Sequence, residues 1–186
     1  MERHFKEAIV LLEKVLRDRE MLDAVRGAVA AATGCLQGGG KLLMAGNGGS
    51  AADSQHFAAE LVGKFLKDRK PFAALALSTD TSMLTAWSND VGFDTVFARQ
   101  VEALGKPGDL FVAISTSGNS RNLVEALKKA KELGLRTVGL LGRGGGAMKA
   151  LCDVAIVVPS DSTPAVQQVH EIVFHAICEE IENELA

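Results

Sequence analysis

The sequence predicts a three-layer α/β sandwich, in which a five-stranded parallel sheet lies between helices and two further helices lead the chain. Three observations carry this. Short apolar runs alternate with longer stretches whose apolar residues repeat at helical spacing, the pattern of βα units around a buried parallel sheet. At 186 residues, with 47% hydrophobic and 23% charged residues, the chain suits one domain with a sizeable core. That core is rich in Ala, Leu and Val and poor in aromatics (5%, no Tyr, one Trp), which suits helices packed on a sheet.

The elements follow in order. Residues Glu2 to Leu16 and Met21 to Leu36 read as two amphipathic helices. After Gly38 to Gly40, the run KLLMAG is the first strand, followed by a helix from Ser50 to Phe65. Phe72 to Leu77 is the second strand, with helical pieces through Ser88 and from Asp94 to Leu104. Asp109 to Ile114 is the third strand, and STSGNS leads from it into a helix from Arg121 to Leu133. Arg136 to Leu141 and Asp153 to Val158 are the fourth and fifth strands, and a last helix starts near Pro164.

Composition excludes several functions. A net charge of −3 gives no electrostatic footprint for nucleic acid. No apolar run reaches the roughly 18 residues of a membrane span, and the N-terminus mixes charges into its apolar residues, unlike a signal peptide. Three cysteines, Cys35, Cys152 and Cys178, form no C-x-x-C pair, which argues against disulfides and for a reduced, cytoplasmic setting. With no repeat, low-complexity tract or proline-rich linker, residues 1–186 read as a single domain.

Chemistry concentrates in AGNGGSAADSQHFAAE, Ala45 to Glu60, where a glycine turn runs straight into a helix carrying His56 and Glu60 one turn apart. Glycines let backbone approach a ligand, and the helix start offers unpaired N–H groups. An imidazole and a carboxylate beside such a loop suggest a metal site or an acid–base pair, though such a pair is also a common polar contact. STSGNS offers four hydroxyls, on Ser115, Thr116, Ser117 and Ser120, at a strand end and a helix start, enough convergent donors for phosphate. Its plainer reading is a polar turn in which Ser120 or Asn119 caps the helix. Gly46 to Ala51 also satisfies G-x-G-x-x-[GA], the dinucleotide fingerprint. Asp80 could be its ribose-binding acid, but it lies well beyond the roughly 20-residue spacing that motif requires. Gly142 to Gly146, with Arg143, reads as a flexible connection.

Of the four histidines, His4 reads as a solvated helix residue. The last helix, VQQVHEIVFH, sets Gln167, His170 and His175 among apolar residues, where buried amides and imidazoles need partners. Gln167 and His175 are eight residues apart, about 12 Å along one helix, too far for one metal ion. Either Gln167 precedes the regular helix or a ligand comes from another subunit; spacing alone does not separate His170 from His175.

GNGGSAADSQHFAAE, the SND segment at Ser88 to Asp90, STSGNS and TPAVQQVHEIVFH together resemble the bacterial phosphoheptose isomerases of the sugar-isomerase (SIS) family, over essentially the whole chain. The resemblance implies a flavodoxin-like core over residues 38–186, with residues 1–37 serving a homotetramer whose active sites lie at subunit interfaces. It implies one Zn²⁺ per subunit on His56, Glu60, Gln167 and His175, which selects His175 over His170. It implies sugar-phosphate contacts at Asn47, Gly48, Gly49, Ser50, Glu60, Asn89, Asp90, Ser115, Thr116, Ser117, Ser120 and Gln167.

The implied reaction converts sedoheptulose 7-phosphate to a manno-heptose 7-phosphate through an enediol, for ADP-heptose and cell-surface glycans such as lipopolysaccharide. In it Glu60 would be the base and His175 the acid. Lys64 stands where relatives often carry Arg, and Gln168 replaces a frequent Glu. Two alternatives share the fold: a non-catalytic protein that binds the replication initiator, and a phosphosugar sensor normally fused to a DNA-binding domain. Glu60 and His175 favour the enzyme.

Overall fold

A computed structural model describes residues 2–186. Two helices open the chain, α1 (Glu2–Arg17) and α2 (Arg19–Gln37). Asp18 separates them and caps α2, accepting from the Met21 N–H at 3.0 Å. The core then alternates β1 (Leu42–Gly46), α3 (Gly49–Val62), β2 (Ala74–Ala76), α4 (Thr81–Asp90) and, after a 3₁₀ turn, α5 (Val96–Leu104). It continues with β3 (Leu110–Ser115), α6 (Arg121–Glu132), β4 (Arg136–Leu141), a 3₁₀ segment from Arg143 to Leu151, β5 (Val154–Val157) and α7 (Thr163–Leu185).

The five strands form one parallel sheet in the order β2-β1-β3-β4-β5. Strand periodicity divides the core in two. Leu42, Met44, Val112, Ile114 and Leu140 face α1, α2, α3 and α7, where they pack with Ala32, Phe57, Phe174 and Ile177. Leu43, Ala45, Phe111 and Ala113 face α5 and α6, meeting Val101, Leu123, Leu127 and Phe97. Both faces are covered, as a parallel sheet requires. The order reverses direction beside β1, whose neighbours are β2 and β3, so the crevice beyond the carboxyl ends of β1 and β3 is where a ligand belongs.

Several boundaries differ from the sequence reading. The helix expected to reach Phe65 stops at Val62, because Gly63 leaves helical geometry while its N–H bonds Ala59 at 2.8 Å. Lys64 is therefore exposed and outside α3. β2 is only three residues long, an edge strand held at its ends by the Phe72 N–H to Leu61 and the Leu77 N–H to Met44. The Gly142–Gly146 connection, read as flexible, is packed. Gly144, Gly145 and Gly146 all have positive φ, and a Cβ on Gly118 would stand 2.1 Å from the Gly145 carbonyl oxygen.

Candidate active site

The hydroxyl loop closes on itself. Ser115 Oγ stands 3.1 Å from Ser120 Oγ and 3.4 Å from Ser117 Oγ, and the Gly118 N–H donates to Ser115 Oγ at 3.2 Å. Gly118 has φ +64°, so the turn needs glycine there. Ser120 occupies the N-cap position of α6, yet its hydroxyl makes no capping bond and faces Ser115 instead. Capping is thus not what these hydroxyls do; they converge at a helix start whose N–H groups suit an anion. The neighbouring connection buttresses the loop. Asn119 Oδ1 accepts from the Ala147 N–H at 2.9 Å, and the Gly118 carbonyl accepts from the Met148 N–H at 2.9 Å.

The glycine turn after β1 is joined to this loop. Asn47 and Asn122 exchange side-chain amides in both directions, at 3.0 and 2.9 Å. Asn122 is buried in the first turn of α6, so this pair clamps the first turn to the helix that follows the second. Gly48, with φ +57°, is the N-cap of α3, and Ser50 is buried behind it. A Cβ on Gly49 would come within 2.2 Å of Gln167 Nε2, so the Gln167 amide lies directly on the turn. Asp80, weighed as a ribose-binding acid, instead caps α4 by accepting from the Met83 N–H at 2.9 Å.

His56, Glu60 and His175 come together although 115 residues separate Glu60 from His175. His56 Nε2 stands 3.0 Å from Glu60 Oε1 and 3.5 Å from His175 Nε2. Around a tetrahedral zinc ion, donors at about 2.0–2.1 Å from the metal lie about 3.4 Å apart. His56 stands at about this separation from Glu60 and from His175, while Glu60 and His175 form no ion pair with each other among the described residues. Gln167 does not join them within one chain. It lies inside α7, two turns from His175 or about 12 Å along the axis, which removes the possibility that it precedes the helix.

Aromatic rings flank the imidazoles. The Phe65 ring stacks on His175 (centroids 5.3 Å apart, 14° between planes), and the edge of Phe174 meets His56 at 5.1 Å. Phe65 is itself anchored by Glu182, which is 1% exposed and accepts from the N–H groups of Phe65, Leu66 and Lys67 at 2.8–2.9 Å. Arg69 donates to Glu182 at 2.8 Å and also takes the carbonyls of Glu60 and Leu61 at 2.8 and 2.9 Å. One buried ion pair thus ties the end of α3, including Glu60, to α7.

Two acids missed in the sequence stand beside this cluster. Glu171 Oε1 is 3.8 Å from His56 Nδ1, and donor atoms of His56, Glu171 and His175 all lie within 4.8 Å of one another. The signal was present: Glu171 is four residues from both Gln167 and His175 and so shares their helix face. Asp53, one turn before His56, has a buried Oδ2 with no hydrogen-bond partner among the described residues. Burial first, and the Glu171 charge second, push its carboxyl up to about 6.

The remaining candidates lie elsewhere. Asn89 and Asp90 are exposed at the end of α4, bonded to each other at 2.8 Å and to no other site residue among those described. His170 is fully buried, its Nε2 3.2 Å from the Leu141 carbonyl, and burial pushes it down to about 4. It is a neutral structural residue facing the sheet, and His4 is exposed. Burial pushes the Cys152 and Cys178 thiols up to about 12 and Cys35 to about 11, so none supplies a thiolate.

Comparison with known proteins gives these residues a family. Residues 3–142 match the model of the SIS domain. A phosphoheptose isomerase from Bradyrhizobium sp. is 51% identical over 185 residues, covering all of this chain and 93% of that protein. The structure of a phosphoheptose isomerase from Neisseria gonorrhoeae superposes with a TM-score of 0.92 at 44% identity, covering 98% of this chain and 96% of that one. One from Francisella tularensis does so with a TM-score of 0.94 at 34% identity and the same coverage. The chain belongs to the SIS-domain family and, within it, to the phosphoheptose isomerases.

Proposed function

We propose that this chain interconverts sedoheptulose 7-phosphate and D-glycero-D-manno-heptose 7-phosphate, and the observation that carries the reading is the convergence of His56, Glu60 and His175 beside the hydroxyl loop. The hydroxyls of Ser115, Thr116, Ser117 and Ser120, with the start of α6, would bind the phosphate and so place the far end of the sugar. Asn47, Gly48, Gly49 and Ser50 would line the sugar chain, and Asn89 and Asp90 would reach it from a neighbouring surface. Fixing the phosphate turns proton transfer at the reacting carbons into a step within one complex.

Aldose–ketose exchange moves one proton between adjacent carbons and one between their oxygens, which takes a base and an acid near neutral pH. Glu60 would take the carbon-bound proton and return it to the neighbouring carbon. His175, half-buried and braced by Phe65, would carry the proton between the oxygens. A zinc ion held by His56, Glu60 and His175 would polarise the carbonyl and hydroxyl oxygens and stabilise enediolate charge. Gln167, lying on its own chain's glycine turn, would complete the metal site of a neighbouring subunit.

That last role needs an assembly, and we propose a homotetramer formed through the N-terminal helices. It is supported by an exposed apolar stripe on α1, where Phe5 is 68%, Ile9 57% and Leu16 71% exposed. Among the described residues no helix is long and apolar enough to cross a membrane. We place the enzyme in the cytoplasm on its cysteine usage.

The test is Glu60→Gln assayed by NMR with sedoheptulose 7-phosphate, metal content being measured in parallel. Turnover should fall by at least 10³-fold, about 4 kcal/mol of barrier, while substrate binding persists. A variant with near-normal turnover would remove Glu60 from the role of base.

A further inference from the structure

We propose that Glu171 is a positioning residue for His56: its carboxylate accepts the Nδ1 proton of the His56 ring and so turns the Nε2 lone pair toward Glu60 and His175. This deepens the zinc reading given above and rests on it.

The two nitrogens of His56 face different neighbours. Nε2 has Glu60 Oε1 at 3.0 Å and His175 Nε2 at 3.5 Å, while Nδ1 has Glu171 Oε1 at 3.8 Å. The ring is flanked by Phe174 and His175 in T-shaped contacts, at 76° and 78° between planes, while its side chain stays 42% exposed. A neutral imidazole carries one proton. If that proton sits on Nε2 it is given to Glu60, and the lone pair is left on Nδ1, on the side away from Glu60 and His175. If it sits on Nδ1, Nε2 is free to coordinate, and only an acceptor near Nδ1 favours that form.

Glu60 therefore works against coordination by His56, and a second carboxylate on the other nitrogen restores the balance. Glu171 is the group placed to do this. Its side chain is 52% exposed, so it has the rotamer freedom to close from 3.8 Å to hydrogen-bonding distance. Metal-bound histidines characteristically donate their second N–H to a carboxylate, and losing that partner costs about 10–100-fold in metal affinity. Glu171 reaches His56 from α7, whereas Glu60 reaches it from α3.

The experiment measures cobalt(II) binding to metal-free protein by optical titration, for the unaltered chain, Glu171→Ala and Glu171→Gln. Glu171→Ala should bind cobalt about 10–100-fold more weakly with unchanged visible band positions, since the ligands stay the same. Glu171→Gln should stay within about threefold of the unaltered chain, because its amide oxygen still accepts from Nδ1. In the zinc-loaded protein, the His56 Nδ1 proton resonance should move upfield in Glu171→Ala. Equal affinity and an unmoved proton in Glu171→Ala would overturn the proposal while leaving the metal site standing. Altered band positions would make Glu171 a ligand, which also overturns it. Failure of the unaltered chain to bind cobalt would remove the zinc reading, and this role with it.

Discussion

Replacing Glu182 with Gln should cost this protein about 3–4 kcal/mol of stability without touching a single group that meets substrate. Burial alone would raise the Glu182 carboxyl, but three backbone N–H groups and Arg69 outweigh it and hold the group down, from 4.5 to about 2. That drop corresponds to about 3 kcal/mol at neutral pH. Gln keeps the shape but loses the charge, and it leaves Arg69, whose side chain is 3% exposed, without its anion. Breaking a buried pair in this way costs about 3–5 kcal/mol, so both routes give similar figures.

At about 2–4 °C per kcal/mol for a chain of this size, the melting temperature should fall by about 10 °C. Urea unfolding at one fixed chain concentration, followed through Trp87, measures the loss directly. The acid limb checks the cause. A carboxyl whose folded value is depressed stabilises fully above its unfolded value of 4.5, and the contribution disappears as pH falls from 4.5 toward about 2. Glu182→Gln should flatten that part of the curve. A variant within 1 kcal/mol of the parent, or one with the parent's slope between those pH values, refutes the reasoning.

Two further outcomes follow from the loops. Gly49→Ala pushes a methyl to within 2.2 Å of Gln167 Nε2, a movable side-chain end, so the fold should survive with less than about 1 kcal/mol lost while activity drops at least tenfold. Adding Gln167→Ala relieves the clash, so purely additive effects in a double-mutant cycle would contradict the contact. Asn122→Ala leaves the Asn47 amide without its partner, and should cost about 1–3 kcal/mol in urea unfolding and raise KM more than it lowers kcat. An unchanged KM would mean that the clamp does not set the loop.

How far the chain could be read depended on the range of the interaction. Arg136 to Leu141 emerged as a strand with the boundaries read from its apolar run, because periodicity is local. The helix carrying His56 was drawn three residues too long, since what ends it is Gly63 together with Arg69, a residue the periodicity does not reach. The Ser-rich loop was legible from its hydroxyls, but its partner was not. The Gly142–Gly146 segment looks flexible until the Gly118 backbone is seen against it. Glu182 was invisible because its donors lie 113 to 117 positions away. Glu171 was overlooked for the opposite reason: its helical spacing was plain, but an acid among apolar residues reads as a solvated position until His56 is brought beside it.

The last helix carries one further consequence. Gln167 touches the glycine turn, and His175, two turns along, touches His56. A helix is stiff over two turns, so α7 fixes the interval between the two contacts at about 12 Å. An inserted or deleted residue between them would rotate one contact by about 100° relative to the other and detach it altogether. Variation in this stretch is therefore confined to substitutions. The segment behaves as a gauge of fixed length, and a change in the size of the sugar accepted must come from the loops opposite it.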